Sequence, residues 1–436
     1  MAADVKDAER LFLAGEFEKS FALLRLLTKD EKNGRARYLM GLFYLYGIFV
    51  PQNDDIALEY MDKAYTAGEP LSLLYMLSSR SGGADREAYR KWIKKIRGTK
   101  LSESPFGMHQ IGKSYEKGLA TEKNYEKALL WYEKAASLGL VMAMADAGNI
   151  YRDRSFSGCD FKKAYSLFLE GAAKGYHEAE AQLADCFYCG LGTEADGKKA
   201  IVCFERAADH GNSEACDALG TLYVLGNGVE ADAEKAFQYF RKGTEGGSAA
   251  CCFKWGDCYF YGRGTEINYP RAMELYKKAW DMGYTRAASA IGMLYLMGTA
   301  GPKDASLGVE WLQKAADAGD IDGMTYLGKC CAEGIGMRSD REKAKLYLEE
   351  AAQGGQVEAM SLLGELALSE KKPEEAVHHF EKAAAYGYTR AENFLGLCYA
   401  EGLGVARNLR MAEEWLRKSE AAGDKDARML MKQYLM

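Results

Sequence analysis

Residues Gly220 to Ala250 read GTLYVLGNGVEADAEKAFQYFRKGTEGGSAA. The same outline recurs along the chain. Counting in steps of 36 from Gly112 lands on Gly148, Ala184, Gly220, Gly256, Gly292, Gly328 and Gly364. A fixed period of this length marks an array of repeated supersecondary units, and every other feature has to be weighed against it.

Taking the first glycine as position zero, apolar residues at −1, +2 and +3 fall on one face of a helix, helix A. Position +3 is aromatic in most copies: Tyr44, Tyr115, Tyr151, Phe187, Tyr223, Tyr259, Tyr295 and Tyr399. The small residue at zero admits close approach of a partner helix. Glycine pairs at +6 and +8, such as Gly226 with Gly228 and Gly262 with Gly264, end helix A. Position +12 holds Asn53, Asn124, Asp160, Asp196, Asp232, Asn268, Asp304, Asp340 or Asn408. Asn and Asp are preferred N-caps, so a second helix, helix B, starts there in each copy. It carries a Lys-Ala or Arg-Ala step, as at Lys235-Ala236, then an aromatic near +19 or +20: Trp131, Phe168, Phe204, Tyr239, Tyr276, Trp311, Tyr347, Trp415 and, in one shortened copy, Phe380. Another glycine closes it, as at Gly139, Gly211 and Gly283.

This pattern resembles the Sel1-like repeat, a relative of the tetratricopeptide repeat. Lys127 to Gly139, KALLWYEKAASLG, is close to the family's ideal. The resemblance covers about residues 104–426 and, more loosely, the chain from residue 8. It implies an all-α fold, a right-handed α/α solenoid of about twelve helix-turn-helix units. It also implies a non-enzymatic scaffold or adaptor for protein partners. The expected layout is degenerate repeats over 1–97, a turn or linker at 98–105, the regular array over 106–426 and a capping helix over 427–436. Within the degenerate part the third unit keeps Tyr75, Leu77 and a Gly82-Gly83 break, and in the shortened copy Pro373 takes the first turn of helix B.

Composition narrows the functions. The 57 Lys+Arg against 63 Asp+Glu give a net charge of −6, which argues against a broad nucleic-acid-binding surface. No apolar run of about 18 residues offers a membrane span, and Met1 to Asp7 shows no secretory leader. One cysteine-rich, secreted branch of the Sel1-like family staples each repeat with a disulfide. Here its helix B cysteine positions hold Ala136, Ala172, Ala208, Thr244, Trp280, Ala316 and Ala352. Cys186, Cys258, Cys330 and Cys398 at +2 then read as small core residues, and the eleven cysteines as reduced thiols of a cytoplasmic protein.

Several motifs are weaker than they look. Gly192 to Lys198 spells GxxxxGK, but Lys199 stands where a phosphate loop needs Ser or Thr. Ser114-x-x-Lys117 and Ser369-x-x-Lys372 fit the penicillin-recognising SxxK pattern without its companions SDN and KTG. Some proteins of the resembling family have been linked to β-lactamase activity, which makes a hydrolase one alternative; an exported bacterial protein binding a host factor is another. Cys186-x-x-Cys189, Cys251-Cys252 with Cys258, and the adjacent His378-His379 lack metal-site spacing. No catalytic residue, metal or cofactor is expected.

In tetratricopeptide-like folds helix A lines a concave surface. Positions +4 and +5 there hold Tyr188-Cys189, Val224-Leu225, Phe260-Tyr261 and Leu296-Met297, beside Asp185, Asp217 and Asp257. One reading is an apolar groove with an acidic edge, suited to a peptide or protein with apolar anchors and Lys or Arg beside them. The other is packing between neighbouring repeats. Both fit the residues.

Overall fold

The computed structural model describes residues 4–79, 86–119 and 122–434. The chain divides into two compact units, Met1–Cys251 and Cys252–Met436. In the first, helices come in A–B pairs: α1 (Val5–Leu13) with α2 (Phe17–Leu27), α3 (Gly34–Leu45) with α4 (Asp54–Thr66), and α5 (Pro70–Ser79) with α6 (Arg86–Arg97). A 3-10 turn at Lys100–Glu103 leads to α7 (Pro105–Glu116) with α8 (Tyr125–Ser137), α9 (Val141–Arg152) with α10 (Phe161–Ala173), α11 (His177–Cys189) with α12 (Gly197–Asp209), and α13 (Ser213–Leu225) with α14 (Ala233–Glu245). The division falls within α15 (Ala249–Tyr261). The second unit continues with α16 (Tyr269–Asp281), α17 (Ala287–Met297) with α18 (Ala305–Asp317), α19 (Ile321–Glu333) with α20 (Arg341–Gln353), α21 (Val357–Ser369) with α22 (Pro373–Ala385), α23 (Thr389–Glu401) with α24 (Leu409–Ala421), and α25 (Lys425–Tyr434). Among the described residues this is an all-helical array of twelve pairs and one further helix. The expected Gly82-Gly83 break lies outside the described residues, as does any account of the Tyr75 and Leu77 side chains.

The recurring residues explain the recurring geometry. All nine Asn and Asp residues at +12 are N-caps: Asp232 Oδ1, for example, accepts from the Lys235 amide at 3.0 Å, and Asn268 Oδ1 from that of Arg271 at 3.0 Å. Each satisfies a donor that the first turn leaves orphaned. In the shortened copy Pro373 does open α22, and Lys371 takes a left-handed conformation with φ 61° to tighten the loop.

Position zero is small because the residue at +20 of helix B fills the space above it. A Cβ built on Gly220 would lie 2.4 Å from the Phe240 ring; on Gly112, 2.5 Å from Tyr132; on Gly328, 2.7 Å from Leu348. The four-residue deletion in the shortened copy preserves the pairing, with Gly364 against Phe380 at 2.4 Å. The structure thereby separates two positions that the sequence pattern merges. The +20 side chains Tyr132, Phe168, Phe204, Phe240, Tyr276 and Leu312 are buried, while the +19 residues Trp131, Tyr239, Trp311, Tyr347 and Trp415 are only half-buried.

One contact in the first unit spans far more than a repeat. Lys174 Nζ, just after α10, donates to the carbonyl of Leu13 at the end of α1, at 3.3 Å. Gly139 sits so close to the same carbonyl that a Cβ would be 2.4 Å from it.

Candidate functional site

The structure sorts the candidate +4 and +5 residues by position. In the first unit Val224 is half-buried and Leu225 is 67% exposed; Tyr188 is 36% exposed, and its hydroxyl accepts from Asn227 Nδ2 at 2.5 Å. In the second unit the Phe260 ring packs edge-on against Tyr261 and Tyr269, with centroids 4.8 and 5.4 Å away. Leu296 covers Gly308, leaving 2.9 Å between its Cδ2 and the place a Cβ would take. Tyr261 is 57% exposed under the Arg263 guanidinium, and Met297 is 46% exposed. So Phe260 and Leu296 at +4 pack inward, whereas Leu225, Tyr261 and Met297 at +5 face solvent. Helical geometry requires this, because adjacent residues point about 100° apart.

The acidic edge is already engaged. Asp185 pairs with Arg152 at 2.9 Å, and burial pushes its carboxyl up despite that charge. Asp257 accepts from the Tyr276 hydroxyl at 2.7 Å, and burial raises its carboxyl too. Asp217 is half-buried, with Cys251 Sγ 3.8 Å from its Oδ1. Asp185 and Asp257, two of the three carboxylates of the candidate acidic edge, thus also satisfy donors of the fold itself.

The weak motifs acquire structural roles. Asp196 caps α12, and a Cβ on Gly192 would lie 2.1 Å from the Phe161 carbonyl. Ser114 is buried; Ser369 donates to the Leu366 carbonyl at 2.7 Å while Lys372 pairs with Glu370 at 2.6 Å. All eleven cysteines are free thiols, eight of them buried. Burial pushes the thiols of Cys186, Cys330 and Cys398 up to about 11. Among the described residues no helix is long and apolar enough to cross a membrane.

Two polar clusters in the first unit escaped the sequence reading. His109 of α7, 1% exposed, meets Asp146 of α9 with Nε2 2.7 Å from Oδ2; nearby Lys113 Nζ donates to the Tyr46 hydroxyl at 2.6 Å and Tyr132 to Glu116 at 2.6 Å. Burial lowers the His109 imidazole, while Lys113 and His109 hold the Asp146 carboxyl down against its own burial. The second cluster joins His177 and Glu180 of α11, 3.0 Å apart, to His210, which ends α12 and stacks on His177 with ring centroids 3.4 Å apart. Its sequence trace is a histidine three residues before a glutamate at a helix start and another just before the closing Gly211. Neither cluster contains paired cysteines or adjacent histidines.

The chain matches the Sel1 repeat over residues 34–69, 105–140, 177–212, 213–248, 249–284, 285–320, 321–356, 357–388 and 389–424. The pairs α1–α2, α5–α6 and α9–α10 complete the array without matching. A sel1-like repeat-containing protein, L21, of Acanthamoeba polyphaga mimivirus is 29% identical over 79 residues, 18% of this chain and 14% of that protein's length. Among solved structures, a protective antigen of uropathogenic Escherichia coli strains, c5321, displaying the same repeat fold, aligns with a TM-score of 0.61 at 24% identity over 95% of this chain and 82% of that one. A Sel1 repeat protein of Oxalobacter formigenes aligns with a TM-score of 0.51 at 24% identity, over 76% and 94%. Nine matched repeats, with the caps and glycine contacts that build them, place this chain in the Sel1 repeat family.

Proposed function

We propose that this protein is a non-enzymatic, cytoplasmic scaffold or adaptor that docks a peptide or protein on the exposed ends of its A helices. The observation that carries this reading is the recurrence of large, exposed apolar side chains at one register of the A helices: Leu225 on α13 in the first unit, and Tyr261 on α15 and Met297 on α17 in the second, with exposures of 67, 57 and 46%. An apolar residue left this exposed at +5 contributes little to the fold's own packing, and repeat arrays use such surfaces for partners. With Asp185 and Asp257 engaged, the partner is read mainly through apolar anchors. The test is capture from source-cell lysate by the wild type beside Leu225→Ala/Tyr261→Ala/Met297→Ala, with circular dichroism and melting on both. A partner held by the wild type and lost by an equally stable triple variant supports the reading. Equal capture by both removes this surface from it.

A further inference from the structure

We propose that His177, Glu180 and His210 form a binding site for a divalent transition-metal ion of the zinc class, closing the open end of the α11–α12 pair. One ligating atom from each residue lies within 4.8 Å of those of the other two. His177 Nδ1 and Glu180 Oε2 are 3.0 Å apart. Bonds of about 2.0–2.1 Å to a tetrahedral ion separate its ligands by roughly 3.3 Å, so this pair stands near the required spacing once the ion displaces the proton that His177 Nδ1 donates to the Glu180 carboxylate. Only His210 has to move. It is the exposed member of the three, and its ring is held only by the stack on His177 and the Arg206 carbonyl.

The chemistry of His210 favours ligation. Its Nδ1 lies 2.8 Å from the Arg206 carbonyl oxygen. A carbonyl only accepts, so Nδ1 carries the proton and Nε2 keeps its lone pair. Orientation of an imidazole by a backbone carbonyl is how metal-binding histidines are commonly fixed in one tautomer. The stacked rings, 10° from parallel, aim their lone pairs side by side rather than at one point. Binding therefore splays the His210 ring away from His177. Two imidazoles and one carboxylate suit zinc, cobalt or nickel, whereas magnesium and calcium prefer oxygen donors.

Placement adds a second argument. His177 and Glu180 are one turn apart on a single face of α11, and His210 comes from the far end of its partner helix. An ion held by all three joins the start of helix A to the end of helix B. Both histidines also line a cavity of about 410 Å³, shared with Glu16, Glu18, Lys19 and Lys174, which leaves space for water in the remaining coordination positions. Three protein ligands with an open position match a site that exchanges or presents its ion, in contrast to closed four-ligand structural zinc.

The experiment titrates the full chain with cobalt(II) chloride, reading d–d absorption, and with zinc chloride, reading the melting temperature. The wild type binds one ion and its melting temperature climbs with zinc concentration. His210→Ala, at an exposed side chain, keeps the helical circular dichroism spectrum and loses about 100-fold or more in affinity; Glu180→Gln weakens binding as well. The proposal is overturned if His210→Ala binds cobalt as the wild type does, if the cobalt spectrum shows thiolate charge-transfer bands that survive this change, or if millimolar zinc leaves the wild-type melting temperature unmoved.

Discussion

The ring of Phe240 occupies the space that any side chain on Gly220 would need, its Cε1 lying 2.4 Å from the place of a Cβ. Gly220→Ala therefore forces either helix to shift and costs about 1–3 kcal/mol, the usual range for overfilling a packed core. Shrinking the partner in Gly220→Ala/Phe240→Leu recovers part of that loss, because the two sites share one space. Ala184 stands at the equivalent position of α11. Its side chain is fully buried, so its change to glycine loses a packed methyl as well as helix propensity and costs about 1–2 kcal/mol. Urea unfolding of the variants, read by circular dichroism, ranks them.

The caps are a separate, smaller source of stability. Asp232→Ala removes the acceptor for the Lys235 amide and lowers stability by about 1 kcal/mol. Asp232→Asn keeps that acceptor and stays within a few tenths. A loss for Asp232→Asn equal to that for Asp232→Ala shows that charge, not capping, sets the effect.

His109 ties stability to pH. Its buried imidazole sits below the ordinary 6.5, with Asp146 raising it and Lys113 and Lys117 lowering it. Below pH 6.5 the unfolded chain takes up a proton at this position that the folded chain refuses. Stability contributed here is present at pH 7 and declines as pH falls toward 5, by at most about 1.4 kcal/mol per pH unit for one proton. His109→Gln removes this dependence, so the gap between wild type and variant narrows from pH 7 to pH 5. A gap that stays constant in urea midpoints shows that His109 does not titrate differently on folding.

Thiol reactivity follows burial. Cys189 is exposed, Cys159 and Cys203 are intermediate, and the other eight cysteines are buried. Native protein treated with iodoacetamide carries label first on Cys189, and Cys189→Ser removes the fast phase. Cys258, pushed by burial up to about 12, reacts only on unfolding. Mass spectrometry of digests at timed intervals gives the order.

The fold was legible because each of its devices is local. Asp232 caps its helix through an amide three residues on, and Gly226 ends the helix before it, so a 36-residue period displays both. The pairing of Gly220 with Phe240 is also within one unit, yet the pattern alone leaves Tyr239 and Phe240 as rival candidates; only the facing of the two helices separates them. The candidate strip was legible as a set of residues, but not the engagement of Asp185 by Arg152, which joins two neighbouring A helices 33 residues apart. The His177–His210 cluster has the same origin. It unites two helix ends that periodicity treats as interchangeable turns.

The bond from Lys174 to the Leu13 carbonyl changes how the first unit comes apart. In a simple linear array each pair feels only its neighbours, and melting creeps inward from an end. A link across 161 residues makes α1 and α10 neighbours in energy as well, so the outermost pair is held against the middle of its own unit. Fraying from that end then has to break a long-range closure first, and amide exchange in α1 is slowed toward that of α10 instead of following its rank along the chain.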